Sequence, residues 1–344
     1  MLNEVEVGRH VNILMIDYSK AFDKVDINVA MHKLLTMHVR PELLTWIGNF
    51  LSGRQQCVKH HDTLSQWSKT TCGVPQGTKI GPVVFLAMVN QVATSAPKRW
   101  KYVDDITAGE SRSTLDHTPE LQQVMDSICA DASEDHMSLN ISKCATMQFH
   151  VGRRSPPRPI ITANGQVVPF VSSVKLLGVT IQSNLTWDQH VDNMTAKANS
   201  KRYFLAVLRR ASVQAKDLLQ FYATFVRPTV EYAAPVWHAG ITAKQYDQLE
   251  AIQRSSLRTI FPNLSYRRAL LHTGLPTLHD RRVNLCRSFA TSSLAITELA
   301  HWFPYKRSDC HTYNLRNNYQ RWLPPMTKRL EKSPVNYIIK LLNE

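Results

Sequence analysis

Apolar and polar positions follow two different patterns along the chain. Over roughly the first 150 residues, short apolar runs alternate with amphipathic stretches. "VNILMIDYSKAFD" begins as a continuous apolar run and ends on Asp17, which predicts a buried strand delivering a carboxylate at its C-terminal end. Asp26 stands where an N-cap would open a helix through "INVAMHKLL", and "PELLTWIGNFL" follows with Pro41 at an N1 position. "QCVKHH" and "SQWSKTTC" predict paired strands, and "GVPQGTKIGP" a Gly/Pro-rich loop opening into an apolar helix over 82–95. "WKYVDDITAG" predicts a tight hairpin with Asp104 and Asp105 at its bend. A helix over 118–137 and a strand at "CATMQFH" close this half.

The segment "VGRRSPPRP", 151–159, marks a boundary. "ITANGQVVPF" carries the Asn164–Gly165 hairpin signal, and "VKLLGVTIQ" predicts a further strand. From about 188 to 302 the pattern is helical, broken at "RPTVEYAAP", "FPNLSY" and "GLPTL". The last forty residues are polar, basic and Pro-containing.

Charge sharpens this division. The formal net charge is +14, yet residues 1–150 hold 14 Lys and Arg against 16 Asp and Glu, while 151–344 hold 27 against 11. A basic half beside a near-neutral one suggests an electrostatic footprint for a polyanion, nucleic acid above all. The basic residues do not gather on one lipid-anchoring helix, and the longest apolar run, "VVFLAMV", is too short to cross a bilayer. The start does not read as a signal peptide, and six cysteines without CxxC or zinc spacing predict reduced thiols in an intracellular protein of nucleus or cytoplasm.

Two adjacent like charges, Asp104–Asp105, raise each other's cost of ionisation. A turn tolerates them in solvent, whereas a divalent cation between them would remove the repulsion. Enzymes that extend nucleic acids use two such cations, held by carboxylates distant in sequence. Asp17 at one strand end and Asp104–Asp105 at an adjacent hairpin would converge if their strands are neighbours.

"DYSKAFDKVD" (17–26), "GVPQGTKIGP" (73–82), "YVDD" (102–105), "LNISKC" (139–144) and "KLLGVTI" (175–181) occur in this order. Together they resemble the five consecutive polymerase motifs of reverse transcriptases, with the closest likeness to LINE-type, jockey-like non-LTR retrotransposons. "LTWDQHV", "RPTVEYAAPVWH", "LEAIQRSSLR" and "ALLHTGLPTLHDRR" extend the likeness over nearly the whole chain. The resemblance implies an RNA-directed DNA polymerase with an α/β palm of the right-hand type, followed by a mainly helical, thumb-like C-terminal region. It implies a palm over 1–150 with fingers largely missing, and connecting β-hairpins with a primer-grip-like motif over 151–187. A helical thumb-like region over 188–262 and a basic helical region and tail over 263–344 complete it. Only 16 residues, with Arg9 alone basic among their Lys and Arg positions, precede Asp17, so the chain reads as N-terminally truncated, with neither fingers clamp nor upstream endonuclease.

Carried over by position, Asp17 and Asp104 would be the principal ligands of two Mg²⁺ ions, with Mn²⁺ as an alternative. Asp105 would be a weaker ligand, and the Tyr18 carbonyl would complete a coordination sphere. Phe22 would be the steric gate that selects deoxynucleotides, and Gln76 and Gly77 would lie near the incoming nucleotide, where Gly73 also lets the backbone approach. Lys143 would protonate the departing pyrophosphate, and Leu177 and Gly178 would hold the primer end. The implied partners are an RNA template, a DNA primer and dNTPs, and no membrane. A catalytically inactive nucleic-acid-binding remnant and an RNA-templated RNA polymerase are the other readings, and Phe22 speaks against the second. Trp46, Trp67, Trp100 and Trp187 are candidates for base stacking, though core or rim positions suit them too. His60–His61 read as exposed strand residues, and the arginine pairs 153–154, 209–210, 267–268 and 281–282 suit backbone phosphates.

Overall fold

The apolar run before Asp17 is the central strand of a four-stranded antiparallel sheet. In the computed structural model, which describes residues 2–113, 120–150, 156–306, 308, 320–321, 323 and 327–344, the chain divides into two compact units, Asn3–Ser172 and Ser173–Glu344. A short helix α1 (Leu2–Glu6) precedes strand β1 (His10–Ile16), which is buried throughout. Helices α2 (Ile27–Thr36) and α3 (Pro41–Leu51) follow. Asp26 caps α2 as expected, accepting from the amides of Asn28 and Val29 at 2.8 and 3.2 Å, and Pro41 opens α3.

The two expected strands at 56–72 become nested two-residue pairs. β2 (Gln55–Gln56) pairs with β5 (Ser68–Lys69), and β3 (Lys59–His60) pairs with β4 (Thr63–Leu64). Helix α4 (Ile80–Met88) is shorter than the expected 82–95. The turns that follow it are held from a later strand: Lys101 Nζ donates to the carbonyls of Val89 and Asn90 at 3.0 and 2.6 Å, and Arg99 to that of Val92 at 2.9 Å. Strands β6 (Lys98–Tyr102) and β7 (Asp105–Arg112) form the acidic hairpin, α5 (Glu120–Glu134) follows, and β8 (Ala145–Phe149) completes the sheet in the order β6-β7-β1-β8.

One apolar core unites Leu14, Ile16, Ile106 and Ala108 of the sheet with Ala30, Val84, Phe85, Met88, Leu121 and Ile128 of α2, α4 and α5. These helices therefore cover the face of β1 that carries its even-numbered residues. Asp17, with Met15 and Ile13, belongs to the other face by strand alternation. At the opposite end of the sheet the buried Glu110 carboxylate accepts from Asn12 Nδ2 at 2.8 Å and from the Leu121 amide at 3.2 Å, which fixes the start of α5.

The division between units falls at Ser172/Ser173, later than the Pro/Arg segment, of which 151–155 lie outside the described residues. Hairpin β9 (Thr162–Ala163)–β10 (Gln166–Val167) joins the first unit, because Gln122 on α5 accepts from the Thr162 amide at 2.8 Å and donates to its carbonyl at 3.0 Å. Asn164 and Gly165 both have positive φ there, as their turn requires. "VKLLGVTIQ" is a hairpin rather than one strand: β11 (Ser173–Leu176) pairs with β12 (Val179–Gln182) around Leu177–Gly178.

The second unit is helical, as expected: α6 (Asp188–Arg210), α7 (Ala215–Phe221), α8 (Ala234–Trp237), α9 (Ala243–Ile260), α10 (Tyr266–Thr273) and α11 (Leu278–Ser293). Single turns lie between α7 and α8 where "RPTVEYAAP" breaks the pattern. Helices α12 (Lys328–Glu331) and α13 (Pro334–Asn343) end the chain. Its core centres on Trp237, Tyr222, Leu218, Leu249, Leu257 and Leu278. No helix among the described residues is long and apolar enough to cross a membrane.

Candidate active site

The β1–β7 ladder ends at Ile16 opposite Ile106, so the next facing positions are Asp17 and Asp105. Directly opposed side chains on neighbouring strands lie about 5 Å apart at Cβ, on one face. Asp105 also opposes Tyr102 across the hairpin, which leaves Val103 and Asp104 as its two turn residues. Val103 has φ +57. A β-branched residue in that region is strained, and it persists because strands on both sides fix the turn. The strain therefore sits at the tip that presents Asp104.

Burial raises the Asp105 pKa above the ordinary carboxylate range, and the charges of Asp104 and Asp17 push it the same way. The three acids thus feel one another. Among the described residues, however, no three His, Cys, Asp or Glu side chains form a ready-made metal cage. The two observations fit together for a hard cation such as Mg²⁺, which binds one or two carboxylates and fills the rest of its shell with water and substrate phosphate oxygens. Mutually repelling oxygen donors at an exposed sheet end are the donor set such an ion needs.

Behind Asp17, the backbone is held by residues 138–140, where the fourth motif begins. The Asn140 amide donates to the Asp17 carbonyl and the Ser19 amide to that of Ser138, each at 2.8 Å, bracketing a bridge between Tyr18 and Leu139. That bridge uses the carbonyls of Asp17 and Ser138 and does not consume that of Tyr18. The Tyr18 ring itself is buried, and burial pushes its phenol well above the usual range. The Asp17 amide points at Cys144 Sγ, 3.4 Å away. Lys143 is exposed in the turn before β8. Met15 pairs with Ala145 and Tyr18 with Leu139, so Lys143 lies in the turn between these two pairings, on the side of β1 away from Asp105.

Phe22 is half-buried, its ring stacked on Phe85 of α4 at 4.6 Å, so its position is set by the core. The loop preceding α4 lies against the turn after Asp17. The Val74 amide donates to the Phe22 carbonyl and the Gly73 amide to that of Val25, both at 2.8 Å. A Cβ on Gly73 would meet the Asp23 carbonyl oxygen at 2.6 Å, and its φ is +82. Only glycine fits. Gly77 shares φ +82 with open space around it, and Gln76 is exposed, donating from Nε2 to Asp23 Oδ1 at 2.9 Å.

Leu177 and Gly178 belong to the second unit, with φ values of +45 and +85. Tyr232 clamps this tip: its hydroxyl donates to the Leu177 carbonyl at 2.7 Å, and a Cβ on Gly178 would come within 2.9 Å of its ring. The paired arginines divide. Arg282 is 0% exposed, which removes it from any phosphate-binding surface, and Arg281 is ion-paired with Glu231 at 3.3 Å. Arg153 and Arg154 lie outside the described residues. Trp187 packs on the second core, whereas Trp46 and Trp67 are exposed. His60 and His61 are exposed as expected, and Cys57, Cys72, Cys129, Cys144 and Cys286 are free thiols.

The sequence pattern gave little weight to Trp100 and Tyr102. Both alternate onto the face of Asp105, 51% and 63% exposed, with Trp100 lying over Gly109. The signal for them was their odd-even phase relative to Asp105 in β6.

Residues 5–181, just over half the chain, match the family model described as reverse transcriptase (RNA-dependent DNA polymerase). The chain is 27% identical over 274 residues to the RNA-directed DNA polymerase from mobile element jockey of Drosophila funebris, covering 75% of this chain and 29% of that protein. It is 25% identical over 292 residues to its Drosophila melanogaster counterpart, covering 80% and 31%. The chain thus spans less than a third of the length of these relatives. Among solved structures, a telomerase from Candida tropicalis in complex with a fragment of telomeric RNA aligns with TM-score 0.42 and 12% identity, covering 88% of this chain and 50% of that one. The strand-end carboxylate, the acidic hairpin and the loop before α4 all fall within the matched residues, and the chain belongs to the reverse transcriptase (RNA-dependent DNA polymerase) family.

Proposed function

We propose that this chain carries the nucleotidyl-transfer site of an RNA-directed DNA polymerase of a non-LTR retrotransposon, adding dNTPs to a DNA primer on an RNA template. The observation that carries this reading is the strand register that sets Asp17 opposite Asp105, one residue from Asp104. Asp17 and Asp104, with Asp105 beside them and the Tyr18 carbonyl uncommitted, would hold Mg²⁺ or Mn²⁺. A divalent cation bound there lowers the pKa of the attacking 3′-hydroxyl and offsets charge on the triphosphate.

The remaining residues position and discriminate. Phe22, held by Phe85, stands as the bulky floor that excludes a 2′-hydroxyl, and Gln76 and Gly77 meet the incoming nucleotide. Lys143 supplies the proton for departing pyrophosphate as general acid. The Leu177–Gly178 tip, stiffened by Tyr232, supports the primer end.

Primer extension on an RNA template with Mg²⁺ tests the reading. Wild type should extend. Asp104→Asn should lose activity by at least the order of 10²–10³ that removal of one electrostatic stabiliser costs. Activity that survives Asp104→Asn would remove the ligand role. Salt-sensitive RNA binding without extension at any Mg²⁺ concentration would replace the polymerase with a binding remnant.

A further inference from the structure

The end of β1 has a backbone problem that the sheet does not solve. Met15 pairs with Ala145 and Tyr18 with Leu139, so β1 advances three residues where its partner advances six. The surplus residues, 141–143, leave the ladder as a turn that carries Lys143. In an antiparallel ladder a residue's amide and carbonyl face the same neighbour. The Asp17 carbonyl is taken by the Asn140 amide at 2.8 Å, so the Asp17 amide faces this side too, where the skipped ladder has removed its carbonyl partner.

Cys144 fills that gap. The Asp17 amide donates to its Sγ at 3.4 Å, and the thiol donates weakly to the Asp17 carbonyl at 3.8 Å. Through its own backbone Cys144 closes the turn: its amide and that of Lys143 both donate to the Asn140 carbonyl at 3.0 Å. The bonds form a circuit, from Asp17 to Cys144, from Cys144 to Asn140 and from Asn140 back to Asp17. The thiol is the one side chain in it. Cys144 is 1% exposed and belongs to the apolar core of the first unit, with Leu14, Ile16 and Ile106. Core packing thus fixes the sulfur, and the sulfur fixes the first residue beyond the strand. An unpaired buried amide is costly, so without the sulfur the chain at Asp17 would turn to find another acceptor. That turning would carry the carboxylate away from Asp105.

We infer that Cys144 is a positioning residue of the carboxylate site: its thiol holds the Asp17 backbone so that the carboxylate faces the Asp104–Asp105 bend, and the turn it closes sets where Lys143 stands. The service of that carboxylate to a cation rests on the polymerase reading; the hold on the Asp17 backbone does not.

Hydrogen–deuterium exchange at the Asp17 amide and Mn²⁺ affinity, both on the full chain, test the inference. Cys144→Ala should speed exchange at that amide and weaken Mn²⁺ binding by about tenfold, the cost typical of losing an outer partner of a metal ligand. Cys144→Ser keeps a donor and an acceptor on a shorter bond, and should fall between Cys144→Ala and wild type in both measurements. Cys129→Ala removes another thiol packed on the same core and should leave both at the wild-type level. Wild-type Mn²⁺ affinity in Cys144→Ala overturns the inference. A weakening that Cys129→Ala reproduces overturns it as well, because lost core volume alone would then account for the effect. Wild type that binds no Mn²⁺ removes the polymerase reading instead. Exchange then decides alone: faster exchange in Cys144→Ala keeps the hold on Asp17, and an unchanged rate overturns it.

Discussion

The first unit buries Glu110 and Asp135 on hydrogen-bonding partners and leaves three carboxylates at one sheet end, while the second buries charges of both signs in its interior. In the first, Asp17, Asp104 and Asp105 stand at one end of the sheet above an apolar core, and burial, then the charges of Asp104 and Asp17, raise the pKa of Asp105. In the second, Arg282 is fully buried, with Nε 3.4 Å from His238 Nδ1 and its guanidinium 5.7 and 5.8 Å from the ring centroids of Trp237 and Tyr246. Buried Glu250 nearby accepts from the Tyr266 hydroxyl and from the Leu278 amide, and Glu231 pairs with Arg227 and Arg281. Like charges at the sheet end repel one another, whereas the interior of the second unit mixes both signs. The difference separates a repelling cluster from a network of mixed sign, although both are clusters of ionisable side chains.

Substitution should expose that difference most strongly at Arg282. Arg282→Ala empties a fully buried site and removes two cation–π contacts, at a cost of about 2–5 kcal/mol in unfolding free energy. Asp104→Asn, by contrast, removes a repelling charge and should leave the denaturation midpoint level or slightly raised. Equal destabilisation by both, measured by urea unfolding, would break the distinction.

Acid should sharpen it at a smaller magnitude. Burial, with Lys197 nearby, lowers the His190 pKa to about 4; burial, with Arg282 and His279, lowers that of His238 to about 4. An unfolded histidine titrates near 6.5. The stability these neutral histidines confer is full above pH 6.5 and drains as pH falls toward 4, by on the order of 2–3 kcal/mol each. Asp105 has the opposite sign: its pKa is raised, so protonation at falling pH relieves repulsion in the folded state. Unfolding followed from pH 7 to pH 4 should show net loss, flattened in His190→Gln/His238→Gln. A flat wild-type profile would contradict the assignment.

How much was legible in the sequence follows from how local each signal is. Asp17 at a strand end, Asp26 as a cap and Asn164–Gly165 as a turn all rest on chemistry within four residues, and each stands as expected; the acidic hairpin stands too, with its bend at Val103–Asp104 and Asp105 opening the next strand. The helix after "GVPQGTKIGP" ends at Met88, and the carbonyls just beyond it, of Val89, Asn90 and Val92, are taken by Lys101 and Arg99 on a later strand, a partnership no local pattern shows. The Leu177–Gly178 turn was half-hidden, since leucine is a poor residue for positive φ and the tip depends on Tyr232, 55 residues away. Arg282 looked like a surface arginine because adjacent arginines on a helix point in different directions.

The central claim is that Asp17 and the Asp104–Asp105 bend form one cation site. Mn²⁺ titration of the full chain followed by electron paramagnetic resonance tests it without any nucleotide or turnover. The account predicts saturable binding in wild type that weakens at least tenfold in Asp17→Asn and again in Asp104→Asn, two positions 87 residues apart acting on one ion. Binding that falls in Asp104→Asn but keeps its wild-type affinity in Asp17→Asn would contradict it.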